Sequence, residues 1–295
     1  MSDTGTQRSI GVGFIGLGQI GAPMARRWLD WPGGLTVFDV AEGAVAPFAE
    51  AGAHVAASPA EVARRSGVVS VMVRDDAQVT DVLTGPDGIL AGAAAGTVVA
   101  IHSTVEADTP ARLAAIAGEH GVEVVDAPVS GGMMGAHDGS LAIMVGGTDD
   151  AFGRVAEPFG RLGTLVAHLG PIGAGTRAKL ARNLITFASY AAVGEAYRLA
   201  EAAGVDLARL GDVVRHSDRI TGGPGAVMLR RSAGPLADDD GLRPIFTHTR
   251  GLGEKDLQLA IALGESLGVE TPMARLACDH LGAALGVPHD PEEQP

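Results

Sequence analysis

Gly13–Asp39, GFIGLGQIGAPMARRWLDWPGGLTVFD, is the stretch that decides the fold. The apolar run from Ile10 to Ile15 predicts a buried strand. The turn Gly16-Leu17-Gly18-Gln19-Ile20-Gly21 follows, then a helical segment through Ala22, Met24, Ala25 and Trp28. A second strand, Leu35–Phe38, ends on Asp39. In a dinucleotide site the first glycine makes the tight turn and the second lets a pyrophosphate approach the backbone. The third lets the helix pack close to the strand, with its N-terminus towards the phosphates. The chain has 43 glycines, so an isolated GxGxxG carries little weight. What gives this one weight is its place between strand and helix, with an acid 18 residues after Gly21. A glycine-rich turn without a ligand and an S-adenosylmethionine-binding loop are the competing readings, and hydride chemistry fits the later motifs better.

Asp39 bears on the cofactor. A carboxylate at the end of the second strand accepts hydrogen bonds from the adenosine ribose hydroxyls and repels a 2′-phosphate. Val40, Ala41 and Glu42 follow it, with no arginine, which favours NAD and leaves NADP second. The alternative is that Asp39 only caps the next turn.

At 295 residues the chain is long enough for two domains. A net charge of −13 argues against binding to nucleic acid or an anionic membrane. The single cysteine, Cys278, excludes a disulfide framework and a cysteine-cluster metal site, and is expected as inert core. No metal site is expected. The polar start MSDTGTQRS has no signal-peptide apolar region, and no run approaches a bilayer span. These features lead us to expect a soluble, cytoplasmic protein.

Through about residue 170, short apolar strands alternate with helices, the pattern of an α/β domain with a doubly wound parallel sheet. Strands are expected at 68–73, 97–101, 123–126, 141–145 and 164–168. Helices are expected at 58–65, with Ser58 and Pro59 as N-cap and N1, and at 76–83, 107–117 and 149–159. Arg74-Asp75-Asp76, His102-Ser103-Thr104 and Asp126 to Gly132 fall at strand carboxyl ends, where open α/β sheets bind ligands. After Gly170-Pro171-Ile172-Gly173, the proline-free run from Ala174 to Ala203 predicts one long helix leading into a second domain. Further helices are expected at 206–216, 225–231, 249–267 and 271–285, with an exposed loop from Ser232 to Pro244 and a frayed tail after Pro288. The expected division is a Rossmann-type domain over 1–170 and an all-α domain over 171–295.

On the long helix Lys179, Arg182, Asn183 and Thr186 share one face. A lysine in a partly desolvated cleft can exchange a proton at neutral pH. The competing reading is a solvated helix face. Asp126-Ala127-Pro128-Val129-Ser130-Gly131-Gly132 offers a hydroxyl and backbone N–H groups, which can hold a carboxylate without a formal charge, or can be only a turn.

Taken in order, GFIGLGQIGAPMA, HSTV (102–105), DAPVSGG (126–132), GAGTRAKLARN (173–183) and EKDLQLA (254–260) resemble the β-hydroxyacid dehydrogenases. That family includes 3-hydroxyisobutyrate dehydrogenase and tartronate semialdehyde reductase, and the likeness runs from about residue 10 to 285. The resemblance implies a Rossmann domain, an all-α C-terminal domain and a homodimer or homotetramer. It also implies reversible NAD(P)-linked oxidation of a small β-hydroxy acid to a semialdehyde. By position, Lys179 resembles the catalytic lysine, Asn183 the substrate-orienting asparagine, and Ser130, Gly131 and Gly132 the substrate-carboxylate loop. Val73, Arg74, Thr104 and Lys255 resemble cofactor contacts.

The chain departs from that pattern in several places. Val73-Arg74 stands for the usual Leu-Pro, Arg182-Asn183 for Asn-Asn, Ile20 for Met and Arg27-Trp28 for Asn-Leu, while His102 precedes Ser-Thr. Arg74 and Arg182 either bind a second anion of a larger substrate or pair with Asp75, Asp76 or other nearby acids. Two rivals share the architecture. Imine reductases typically carry an acid or tyrosine where this chain has Lys179, and favour an arginine after the second strand. A non-catalytic dinucleotide-binding scaffold would be expected to lose the lysine.

Overall fold

A computed structural model describes residues 10–289. Among these residues the chain divides into two compact units, the first ending at Arg182 and the second beginning at Asn183.

The first unit is built on a six-stranded parallel sheet of order β3-β2-β1-β4-β5-β6. Its strands are β1 (Val12–Ile15), β2 (Leu35–Phe38), β3 (His54–Val55), β4 (Val68–Val71), β5 (Val98–Ile101) and β6 (Glu123–Asp126). Nearly every residue of these strands is buried, as expected where helices cover both faces of a sheet. The period-2 alternation of a strand divides the side chains between two cores. Val12, Phe14, Leu35, Val37, Val98 and Ala100 join Met24, Trp28 and Phe159 on one face. Ile15, Val69, Val71, Val99 and Ile101 join Val62, Leu83 and Leu113 on the other. Around the sheet run α1 (Gly21–Arg26), α2 (Glu42–Glu50), α3 (Pro59–Arg64), α4 (Asp76–Thr84) and α5 (Thr109–Gly118). Ser58 caps α3 as expected, accepting from Glu61 N at 3.3 Å.

The fold class is the one expected, with one local difference. The strands at 141–145 and 163–168 do not extend the main sheet. After β7 (Val129–Ser130) and α6 (Gly132–Asp138), they form β8 (Leu141–Val145) and β9 (Gly163–His168), with α7 (Asp149–Phe159) between them. These three strands make a second sheet in which β7 and β8 are antiparallel and β8 and β9 parallel. The cause is the reversal in the DAPVSGG segment, which turns the chain back after β6. Trp28 is fully buried and donates its indole N–H to Pro158 O at 2.9 Å, tying the turn after α1 to the end of α7.

From Ala174 the chain is helical: α8 (Ala174–Ala202), α9 (Leu207–Thr221), α10 (Arg243–Leu267) and α11 (Pro272–Leu285). Three expectations need correction. The helix at 225–231 is only a short 3₁₀ turn, Gly223–Val227, because the Gly222-Gly223-Pro224-Gly225 run suits a turn and not a helix interior. The helix expected from residue 249 starts at Arg243, since Pro244 in the first turn favours rather than blocks helix entry. Cys278 is half-exposed rather than core. Asp238 and its neighbours are exposed as expected, although Leu236 is buried. The polar start and the tail beyond residue 289 lie outside the described residues. No helix among the described residues is long and apolar enough to cross a membrane.

His102, at the end of β5, sits beneath the DAPVSGG segment. Its Nδ1–H donates to Ala127 O at 2.7 Å, which leaves Nε2 to accept from the Ser70 hydroxyl at 2.8 Å. Phe14 and Phe159 flank the ring, at centroid distances of 6.3 and 5.1 Å. Burial pushes its pKa down to about 4, outweighing the bond to Ala127, so the ring is neutral in the fold. An unfolded histidine titrates near 6.5, so the unfolded chain takes up the proton first as pH falls. This contribution is whole above about pH 6.5 and is lost towards pH 4, at up to about 1 kcal/mol per pH unit. We expect denaturant unfolding to show falling stability from pH 7 to pH 5, and His102→Asn to flatten that slope. An unchanged slope in the variant would assign the acid sensitivity elsewhere.

Candidate active site

The carboxyl ends of β1, β2 and β4 open onto a cavity of about 810 Å³. Its floor is the glycine turn, with Gly16, Gly18, Gln19, Ile20 and Gly21 all lining it. Each glycine is there for a different reason. Gly16 has φ +92°, and a Cβ on it would strike Met72 O; one on Gly21 would strike Gly16 O. A Cβ on Gly18 would meet nothing within 4 Å. The first and third glycines therefore serve packing, and the second keeps open space above the turn, the cradle that a pyrophosphate needs. Leu17 is buried and reaches the site only through its N–H, which donates to Asp39 Oδ2 at 2.6 Å.

Asp39 lines the same cavity. Its Oδ1 accepts from Ala41 N at 2.8 Å, so it caps the following turn as well as bracing the glycine loop. Each carboxylate oxygen has a second acceptor position, so both bonds are compatible with accepting ribose hydroxyls. The opposite wall is Val73, Arg74, Gln78, Asp81 and Val82, of which the sequence reading had only the first two. Ser103 sets this wall: its hydroxyl accepts from Val73 N at 2.9 Å and donates to Val73 O at 2.8 Å. Gln78 N donates to the capping Asp75 at 2.9 Å, and Gln78 Oε1 accepts from Arg74 N at 3.0 Å. An Asp followed three residues later by Gln is a helix-start signature, which could have flagged Gln78. Arg74 Nε pairs with Asp75 at 3.1 Å in the open, the ion pair that the sequence offered as one alternative, and Arg74 also lines this cavity. Thr104 is exposed just beyond Ser103.

A second cluster forms where β6 ends. Asp126 is fully buried, with Oδ1 accepting from Gly173 N at 2.7 Å and Oδ2 from Thr176 N at 2.5 Å. It thus caps the start of α8 across about 50 residues of sequence, a role that no local signal announces. One turn into that helix Lys179 is half-buried, and its Nζ donates to Val129 O at 2.6 Å. Ser130 follows directly, then Gly131 and Gly132 with φ of +134° and +63°. Lys179 and the DAPVSGG segment, read separately in the sequence, are in contact. Burial, and then the nearby Arg182 charge, hold the Lys179 ammonium below the ordinary lysine range. Such a lysine gives up its proton more readily than an exposed one. Asn183 and Lys255 belong to the second unit, where Lys255 is exposed and pairs with Asp256 at 3.0 Å.

Sequence comparison agrees with this geometry. Residues 11–170 match the family described as the NAD binding domain of 6-phosphogluconate dehydrogenase. Residues 173–290 match that described as the NAD-binding domain of NADP-dependent 3-hydroxyisobutyrate dehydrogenase. An uncharacterized oxidoreductase of Mycobacterium tuberculosis is 56% identical over 96% of each chain. The 2-(hydroxymethyl)glutarate dehydrogenase of Eubacterium barkeri is 32% identical over 95% of this chain and 92% of its own. Among solved structures, an oxidoreductase from Mycobacterium avium superposes with a TM-score of 0.90 at 51% identity, over 95% of this chain and 100% of that one. Mycobacterium tuberculosis 3-hydroxyisobutyrate dehydrogenase, solved with L-serine, gives 0.65 at 29% identity over 94% and 95%. An imine reductase from Myxococcus stipitatus, at 20% identity and TM-score 0.74 over 94% of each chain, shares the fold alone. The chain is an NAD(P)-dependent oxidoreductase. It belongs to the β-hydroxyacid dehydrogenase family, that of 3-hydroxyisobutyrate dehydrogenase.

The glycine turn predicts a clean separation of effects. Gly18→Val should change stability by less than about 1 kcal/mol, since the side chain enters open space, yet raise the dinucleotide Kd by ~10-fold or more. Gly21→Val should lower the melting temperature, because its side chain meets backbone. Tight cofactor binding by a folded Gly18→Val protein, read by titration calorimetry, would contradict the assignment of the cavity.

Proposed function

We propose that the protein oxidises a small β-hydroxy acid reversibly to its semialdehyde, with Lys179 as the proton-transfer group and NAD as the preferred cofactor. The observation that carries this reading is the 2.6 Å contact of Lys179 Nζ with Val129 O, which holds the ammonium beside Ser130, Gly131 and Gly132. Those residues offer a hydroxyl and a glycine backbone, suited to a substrate carboxylate held without a formal charge. Asn183, one helical turn beyond Lys179 on α8, is suited to hold the reacting oxygen. Gly16 to Gly21 and Asp39 would hold the dinucleotide, with Val73, Arg74 and Thr104 as further contacts. A bound dinucleotide would supply the hydride acceptor for the hydroxyl-bearing carbon. Lys179 takes the hydroxyl proton in oxidation and returns it to the carbonyl oxygen in reduction. Burial supports both directions, because it brings the lysine nearer to equal populations of its two forms.

Asp39 on the cavity wall, with no arginine directly after it, supports NAD over NADP. Relatives named for 3-hydroxyisobutyrate and 2-(hydroxymethyl)glutarate support a small hydroxy acid as substrate. A lysine at position 179, where imine reductases typically carry an acid or tyrosine, supports carbonyl over imine chemistry. A homodimer or homotetramer is part of the same reading. The hydrophobic cluster of the second unit is small, Leu236, Phe246, Leu285 and Val287, whereas Leu184, Phe187 and Tyr190 on α8 are exposed.

The test is a dehydrogenase assay over C3 to C6 β-hydroxy acids with NAD and NADP, on wild type and Lys179→Ala. Wild type should show the higher kcat/KM with NAD. Lys179→Ala should lose ~10²-fold or more in kcat while cofactor Kd changes little. Near-normal turnover by a folded Lys179→Ala protein, or a preference for NADP, would overturn the corresponding part of the reading.

A further inference from the structure

The cavity above the glycine turn continues past Asp39, and the groups there have no part in hydride or proton transfer. On one wall Val40 follows Asp39 and is 92% exposed, an apolar side chain lining a cavity and open to contact. On the other wall stand Gln78, Asp81 and Val82, at positions i, i+3 and i+4 of α4, so they share one face. Phe38 and the two valines offer apolar surface, and the helix adds one donor and one acceptor. Gln78 Oε1 accepts from Arg74 N at 3.0 Å, a bond that only the oxygen end of the amide can make. The amide is therefore fixed in orientation, and its amino group is the donor it brings to the cavity it lines. Asp81, as a carboxylate, only accepts.

We propose that Gln78 and Asp81 read the adenine base of the dinucleotide, so that the site selects adenine over hypoxanthine or guanine. The inference rests on the reading in which the glycine turn takes the pyrophosphate and Asp39 the ribose, since that order puts the base next along the cavity. Adenine carries a 6-amino donor beside a ring nitrogen that accepts. Asp81 accepts from the amino group, Gln78 donates to the ring nitrogen, and Val40 and Val82 give the flat ring apolar contact. Few polar groups set in an apolar lining are what fixes a ligand's orientation in such a pocket. Hypoxanthine and guanine have a carbonyl oxygen in place of the amino group. The Asp81 carboxylate would then face another acceptor, with no proton between them. A site that hydrogen-bonds a group rejects the analogue lacking it more strongly than an apolar pocket can.

Titration calorimetry of wild type, Asp81→Asn and Gln78→Glu, with NAD and with nicotinamide hypoxanthine dinucleotide, tests this without turnover. Wild type should bind NAD ~10-fold or more tighter than the hypoxanthine analogue. Asp81→Asn can turn its amide to donate to a carbonyl, so the preference should fall below ~3-fold. Gln78→Glu keeps an oxygen for Arg74 N but loses the donor, and should weaken NAD by ~10-fold. Asp81 is exposed, so Asp81→Asn spares the fold and decides the matter even where Gln78→Glu fails to fold. Equal wild-type affinity for the two dinucleotides, or an undiminished preference in Asp81→Asn, would overturn the base reading and leave the assignment of the cavity standing. Failure of wild type to bind either dinucleotide would remove both.

Discussion

The site depends on one buried carboxylate. Asp126 leaves the last buried position of β6 and accepts the backbone N–H groups of Gly173 and Thr176 at the start of a 29-residue helix. A charged group without water needs such partners, and the first turn of a helix provides donors that nothing else in the helix can satisfy. The bond is mutually stabilising, and the dipole of the helix adds to it. It also fixes a distance. Lys179 follows Thr176 by less than one turn, so its reach to Val129 O is set by where Asp126 anchors the helix. Asp126 and Val129 lie three residues apart in the same loop. One segment therefore holds both the base of the helix and the end of the lysine.

Two polar clusters lie apart within the first unit. The glycine turn, Asp39 and the Val73–Arg74 wall form one cavity at the ends of β1, β2 and β4. Lys179 and the Ser130–Gly132 turn form a separate cluster beyond β6. Two buried polar side chains brace the neighbouring strand ends. Ser103 clamps Val73 from β5, and His102 reaches from β5 to Ala127. The two unexpected arginines fall on different sides of this division. Arg74 lines the cavity and pairs with Asp75, while Arg182 follows Lys179 on α8.

Much of the fold was legible because its signals are local. The strands β1, β2, β4 and β5 are buried on both faces and read as short, largely apolar runs, interrupted only by Thr36 and Ser70. The glycine turn has a fixed order, and the proline-free run from Ala174 gave α8 to within a residue. What could not be read was short or non-local. β3 and β7 have two residues each, too few for any period. The separate second sheet depends on a chain reversal after β6, and periodicity carries no information about which sheet a strand joins. At the site, the glycine turn and Asp39 were visible as a motif, and the structure gathers them in one cavity. Lys179 was visible as a helix-face residue, but its link to Val129 was not. Asp126 was read as part of a loop, since its partners lie about 50 residues away. Ser103 and His102 were noticed as motif letters, and only the three-dimensional contacts give them roles.

The central claim is that Asp126 sets the position of Lys179, and the most direct test is the steady-state kinetics of Asp126→Asn. The replacement keeps the shape but offers one acceptor oxygen where two N–H groups need partners, so the start of α8 should shift or loosen while the glycine turn is untouched. The account predicts a kcat at least ~10-fold below wild type with dinucleotide Kd within about twofold. A folded Asp126→Asn protein with wild-type kcat would contradict it.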